Sequence, residues 1–189
     1  VPRPPASWST EESWILGHRL FFVLIQGAVV GLRHAAAAHP DDTAETVLGV
    51  RTADAFLTAC VAALRLTAAF SPQDYEESIR PSMMSQGEDG MTGFSGLWSA
   101  DHRVLVDALR TWGSLAALHT APPVREAHAS LRETLAEVYA AHTGMCRRFT
   151  GEGASLLRQR GSCVATLERL AGARQRLLAA EKTGRDSGC

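Results

Sequence analysis

Apolar residues between 131 and 149 recur at steps of four, three, four, three and four: Leu131, Leu135, Val138, His142, Met145 and Phe149. That spacing is the core-facing stripe of an amphipathic helix, predicted from about Val124 to Thr150, and it places an imidazole at a core position. Upstream, Ser9-Thr10-Glu11-Glu12 reads as a capping box opening a helix that runs to about His34–Ala38. Leu16, Leu20, Val23, Gly27 and Val30 form one stripe on it, and His18, Phe22, Ile25, Val29 and Leu32 form another. Two apolar faces predict a central, buried helix. His39-Pro40-Asp41-Asp42 ends it and caps a second helix reaching about Phe70, with Leu48, Ala55, Leu57, Val61, Leu64 and Leu66 inward.

Ser71-Pro72-Gln73-Asp74 starts a short helix, with a hydroxyl cap, proline in the first turn and an acid at the third position. From Arg80 to Gly96, Pro81 and four glycines break the pattern into a loop of functional length. A helix from about Trp98 to Leu118 follows. After the seam helix, a last one from about Ala154 to Glu181 reads as an arginine-rich surface helix with one apolar side. No strand pattern is convincing. The fold class is all-α: one domain over residues 1–189, about five long helices, frayed at 1–8 and 182–189.

Composition narrows the function classes. The formal net charge is −1 and no basic run exceeds Arg147–Arg148, which argues against nucleic acid or an anionic membrane as partner. Cys60, Cys146, Cys163 and Cys189 form no paired-ligand spacing, so neither a zinc site nor a disulfide framework is expected, and a reducing cytoplasm fits. The most apolar run, Leu20 to Ile25, is too short to span a bilayer. The apolar first and last helices suggest a homo-oligomer.

His142 carries the first chemical question. A neutral imidazole pointing into a helical core is what a haem iron asks of its proximal ligand, and it is equally a core histidine satisfied by a carbonyl. Asp101-His102 sits at a helix start, where His102 is an acid–base group, an alternative iron ligand or a first-turn surface residue. His34, His39, His119 and His128 read as helix-end or surface residues.

Four ordered fragments sharpen the choice: Leu20-Phe21-Phe22-Val23-Leu24-Ile25-Gln26, Phe70-Ser71-Pro72-Gln73-Asp74-Tyr75 with Arg80, Thr92-Gly93-Phe94-Ser95-Gly96, and His142-Thr143-Gly144-Met145-Cys146-Arg147-Arg148-Phe149-Thr150-Gly151. Together they resemble the tryptophan 2,3-dioxygenase superfamily of histidine-ligated haem enzymes, which includes haem-dependent tyrosine hydroxylases and relatives in antibiotic biosynthesis. The resemblance implies a helical bundle enclosing haem b. His142 would be the axial iron ligand, Met145 and Trp98 would lie against the cofactor, and Arg80 would grip a substrate carboxylate. Gly93, Phe94 and Ser95 would line the distal side, with Phe22 and Tyr75 as aromatic walls.

The chain departs from that pattern where the dioxygenases place a distal histidine before glutamine: Ile25 precedes Gln26 here. His18 lies seven residues earlier on the same face, ~10 Å along the axis, and with His102 it is the candidate for distal catalysis. The implied activity is therefore a haem-dependent oxygenase or hydroxylase using dioxygen or peroxide on an aromatic amino acid or indole-type derivative in bacterial secondary metabolism. A tryptophan- or indole-type dioxygenase is the alternative within the class, and a haem-free helical interaction module is the alternative outside it.

Overall fold

A computed structural model describes residues 8–81, 99–150 and 162–179. These residues fold into α1 (Thr10–Ala37), α2 (Thr43–Thr67), a short α3 (Pro72–Asp74) continuing as a π-helical segment (Tyr75–Ile79), α4 (Ala100–Ala116), α5 (Pro122–Thr150) and α6 (Cys163–Leu178), with no strand among them. Local chemistry sets the starts. Ser9 accepts from Glu12 N at 3.1 Å while Glu12 Oε2 accepts from Ser9 N at 2.8 Å, and Ser71 with Asp74 repeats the arrangement. Asp42, Ser99 and Ser162 cap α2, α4 and α6 through their side-chain oxygens. α2 stops at Thr67, three residues short of expectation, and the last helix is described only from Cys163. Its expected start at Ala154, like the 80–96 loop beyond Pro81, lies outside the described residues.

The five long helices close into a ring. α1 packs on α2 and α4, α2 on α5, and α6 bridges α5 and α4. Inside the ring sit Ile25, Leu32, Val50, Leu57, Leu109, Trp112, Leu131 and Leu135, each at most 2 % exposed. Every such aliphatic side chain contributes roughly 1.5–3 kcal/mol on burial.

α1 and α2 meet closely at Gly31 and Gly49. A Cβ on Gly31 would lie 2.6 Å from Ala53 N, and one on Gly49 would lie 2.5 Å from Ala35 N. Gly27 in turn accepts the ring of Phe56. These glycines select which face of α1 is covered. Ile25, Val29 and Leu32 go inward, whereas Leu16, Leu20, Val23 and Val30 are exposed, Val23 at 65 %. The expectation that both stripes are buried is thus corrected: α1 is a wall of the ring, not its centre. Leu48 and Ala55 of α2 also face out. α1 and α2 each contain an 18-residue window apolar enough, by length and composition, to cross a membrane (mean hydropathy 1.8 and 1.6). The apolar stretch therefore reaches well beyond Leu20–Ile25.

α6 is held by specific contacts. Gly113 of α4 has no room for a Cβ because Leu177 O abuts it. His128 of α5 donates from Nε2 to Leu178 O at 2.9 Å while its Nδ1 accepts from the Trp112 indole at 3.1 Å. Gln175 Nε2 donates to Arg132 O at 2.8 Å. At the other end, Arg148 of α5 donates to Ala68 O at 3.0 Å and Phe70 O at 2.7 Å. It thereby satisfies carbonyls where α2 has ended and cannot satisfy them itself.

Candidate functional site

Three helices bring three histidines to one region of the ring. His142 is on α5, His18 on α1, and His102 in the first turn of α4. Each is placed by a local device. Ser99 Oγ accepts from His102 N at 3.1 Å, which fixes the start of α4. Gln26 of α1 donates to the Asp101 carboxylate, tying α1 to that same turn. The His18 ring lies 4.2 Å from the Trp14 ring, and its Nδ1 is 2.8 Å from Trp14 O. A carbonyl only accepts, so Nδ1 bears the hydrogen and Nε2 is the unprotonated nitrogen.

The electrostatics favour neutral imidazoles. Burial pushes the His142 pKa down to about 4, and the nearby His18 and His102 push it further in the same direction. Burial also lowers His18 and His102, the latter with help from the Arg174 charge. Like groups gathered in an apolar region disfavour one another's cationic forms. His142 is half-buried, and its ring makes no hydrogen bond among the described residues. His102 Nε2 is buried without a hydrogen-bond partner, so the reading of His102 as an exposed first-turn residue is set aside.

Arg174 of α6 reaches this region as well. Its side chain lies beside Tyr139 and opposes the rise that burial gives that hydroxyl's pKa, and its Nε is buried without a partner. An arginine-rich helix read as surface gave no sign that this guanidinium turns inward; only the docking of α6 on α4 and α5 reveals it.

The remaining predicted residues are dispersed. Phe22 is partly buried against the core, edge-on to Phe21 at 5.9 Å, and Met145 packs there too. Tyr75 belongs to a second cluster, stacked on Phe149 at 4.9 Å, with Phe70 on the same Phe149 ring at 5.0 Å. Its hydroxyl is buried without a partner, and burial raises its pKa. Arg80 pairs with Glu76 at 2.7 Å, both side chains about half exposed (48 % and 49 %). Ile25, at the position where the resemblance would have put a histidine, is 1 % exposed and belongs to the hydrophobic core. Gly93, Phe94, Ser95 and Trp98 lie outside the described residues. One pairing was not legible from spacing. Cys146 and Cys163, neither of them in a disulfide, are neighbours, and burial, with Cys163 adding to it, drives the Cys146 pKa up to about 12.

No three histidine, cysteine or acidic side chains among the described residues converge closely enough to hold a bare metal ion. The donor set is instead separate neutral imidazoles on different walls of an apolar interior, together with an inward guanidinium. Neutral imidazoles are the donor type that a haem iron would require, and His142, on the apolar seam, is the one that would supply it.

The described residues are thus all-helical and gather three imidazoles held neutral, with the half-buried Arg174 near them, in one region. The chain belongs to the family described as SfmD 3-methyl-L-tyrosine peroxygenase, which it matches over residues 1–138. It is similar to the 3-methyl-L-tyrosine peroxygenase of Streptomyces lavendulae, at 33 % identity over 167 residues, covering 84 % of this chain and 43 % of that protein. It therefore spans less than half the length of that relative. No solved structure matches the chain.

Proposed function

We propose that this chain carries the cofactor-binding region of a haem-dependent oxidoreductase that transfers oxygen from peroxide to an aromatic amino acid of the tyrosine type. The observation that carries this reading is His142: an imidazole held neutral on an apolar helix seam, beside two further neutral imidazoles, in a chain of this family. Membership favours peroxide over dioxygen and a phenol over an indole, since the relative is named for 3-methyl-L-tyrosine and for peroxygenase activity. A core isoleucine at position 25 removes the imidazole that an indole N–H would need there, which weakens the dioxygenase alternative.

In this reading His142 would hold the haem iron through an imidazole nitrogen. When bound, the haem supplies the oxidising chemistry, and the protein supplies position and protons. His18, with its tautomer set by the Trp14 carbonyl, is in this reading a base for a peroxide or phenol proton. His102 is a further imidazole in the same region, as an acid–base group or an alternative iron ligand, and Gln26 and Ser99 set its place through Asp101 and the α4 cap. Phe21, Phe22 and Met145 keep the interior apolar, which holds the imidazoles neutral.

Titration of the purified chain with hemin tests the reading. A saturable Soret band at equimolar haem supports it, and a chain that gives no protein-specific Soret band overturns it.

A further inference from the structure

Four buried side-chain nitrogen or oxygen atoms among the described residues lack a hydrogen-bond partner, and two of them belong to neighbouring cation-capable groups: His102 Nε2 and Arg174 Nε. Leaving a guanidinium N–H dry and unpaired is costly, and a protein normally meets that cost with a carboxylate. None is there. The ion pairs among the described residues are His34–Glu45, His39–Asp41, Arg80–Glu76, Arg110–Asp107 and Arg147–Glu168, so even the acid nearest along α6 is engaged elsewhere.

The direction of Arg174 is fixed. Gln175, Leu177 and Leu178 are all held by α4 or α5, and a helical side chain lies over the turn before its own Cα. Arg174 therefore leans toward the start of α6. It meets Tyr139 of α5 on the way, and its charge is felt at His102 of α4.

We propose that Arg174, with the Tyr139 hydroxyl beside it, forms a carboxylate seat next to His102. A planar guanidinium takes a carboxylate in a two-point fork, and the phenol adds a third hydrogen bond. Within the functional reading above, on which the choice of ligand rests, two molecules carry such a group: the amino-acid substrate and the propionate arms of the haem. Arg80, the grip expected from the resemblance, is paired with Glu76 instead, both side chains about half exposed.

Two pairs of probes separate the sources. L-tyrosine is compared with tyramine, which lacks the carboxylate, and hemin with its dimethyl ester, whose propionates are capped. Binding to the full chain is measured by calorimetry for the first pair and by absorbance for the second. The wild type is expected to favour the carboxylate member of one pair by about 10- to 100-fold, the range of a charged hydrogen bond. Arg174→Gln removes that preference and Tyr139→Phe reduces it. Preference within the first pair assigns the seat to substrate, and within the second to the cofactor. A wild type that prefers neither carboxylate overturns the seat however the variants fold, as does a folded Arg174→Gln that keeps the preference. Absence of a Soret band with L-tyrosine preference intact would sink the haem reading and leave the seat standing.

Discussion

The Trp112 indole donates its hydrogen to Nδ1 of His128 at 3.1 Å, and the same imidazole donates from Nε2 to Leu178 O at 2.9 Å. One neutral ring thus links α4, α5 and α6. Trp112 is wholly buried, so its N–H has no access to water if the acceptor is lost.

Acid should loosen this joint. Burial lowers the His128 pKa, the strongest influence, with Arg132 pushing the same way and the Leu178 carbonyl opposing. A folded value below the unfolded one means that the contribution is fully present above pH ~6.5 and is lost as pH falls through the folded value. His128→Phe should cost about 1–3 kcal/mol at pH 7.5. In thermal melts between pH 7.5 and 4.5, the gap between wild type and variant should narrow toward the acid end; a gap that widens there contradicts the assigned tautomer.

The close crossing of α1 and α2 makes a second prediction. Gly31→Ala puts a methyl 2.6 Å from a backbone nitrogen that cannot swing away. Overpacking of about 1–3 kcal/mol should outweigh the ~1 kcal/mol that alanine gains in a helix. Gly172→Ala on α6 meets only Arg176 Nη1 at 3.5 Å, an ordinary contact at the end of a flexible chain. It should raise stability by up to about 1 kcal/mol. Chemical denaturation of the two variants checks the opposite signs.

How far the sequence could be read follows from how local each feature is. The capping pair Ser9 and Glu12 stand three residues apart, and the structure forms both of their bonds. The seam from Leu131 to Val138 is buried as its spacing implies. Spacing could not decide between the two stripes of α1, because the choice is made by α2 closing on Gly27 and Gly31. The Trp112–His128–Leu178 chain joins residues 16 and 50 positions apart, which no periodicity reports. Nor does the pattern at Ser71 announce that the helix widens to a π turn at Tyr75–Ile79. His142 and His18 could be singled out from their place on apolar stripes. Arg174 could not, since only packing distinguishes one arginine among many on α6.

Arg80 supplies a third test, which separates the two candidate clamps. Its ion pair with Glu76 is half exposed, and such pairs contribute about 0–1 kcal/mol. Arg80→Ala should therefore barely move the melting temperature and should leave L-tyrosine binding near the wild-type value in the same calorimetric assay. A large loss of affinity would return the carboxylate grip to Arg80 and to the family pattern from which that expectation came.

The central claim is that His142 gives its nitrogen to a haem iron, and absorbance spectroscopy of three proteins titrated with hemin tests it most directly. Wild type and His102→Ala should both develop a Soret band, whereas His142→Ala, folded by circular dichroism, should lose it or bind hemin far more weakly. A His142→Ala protein with the wild-type spectrum and affinity would contradict the assignment.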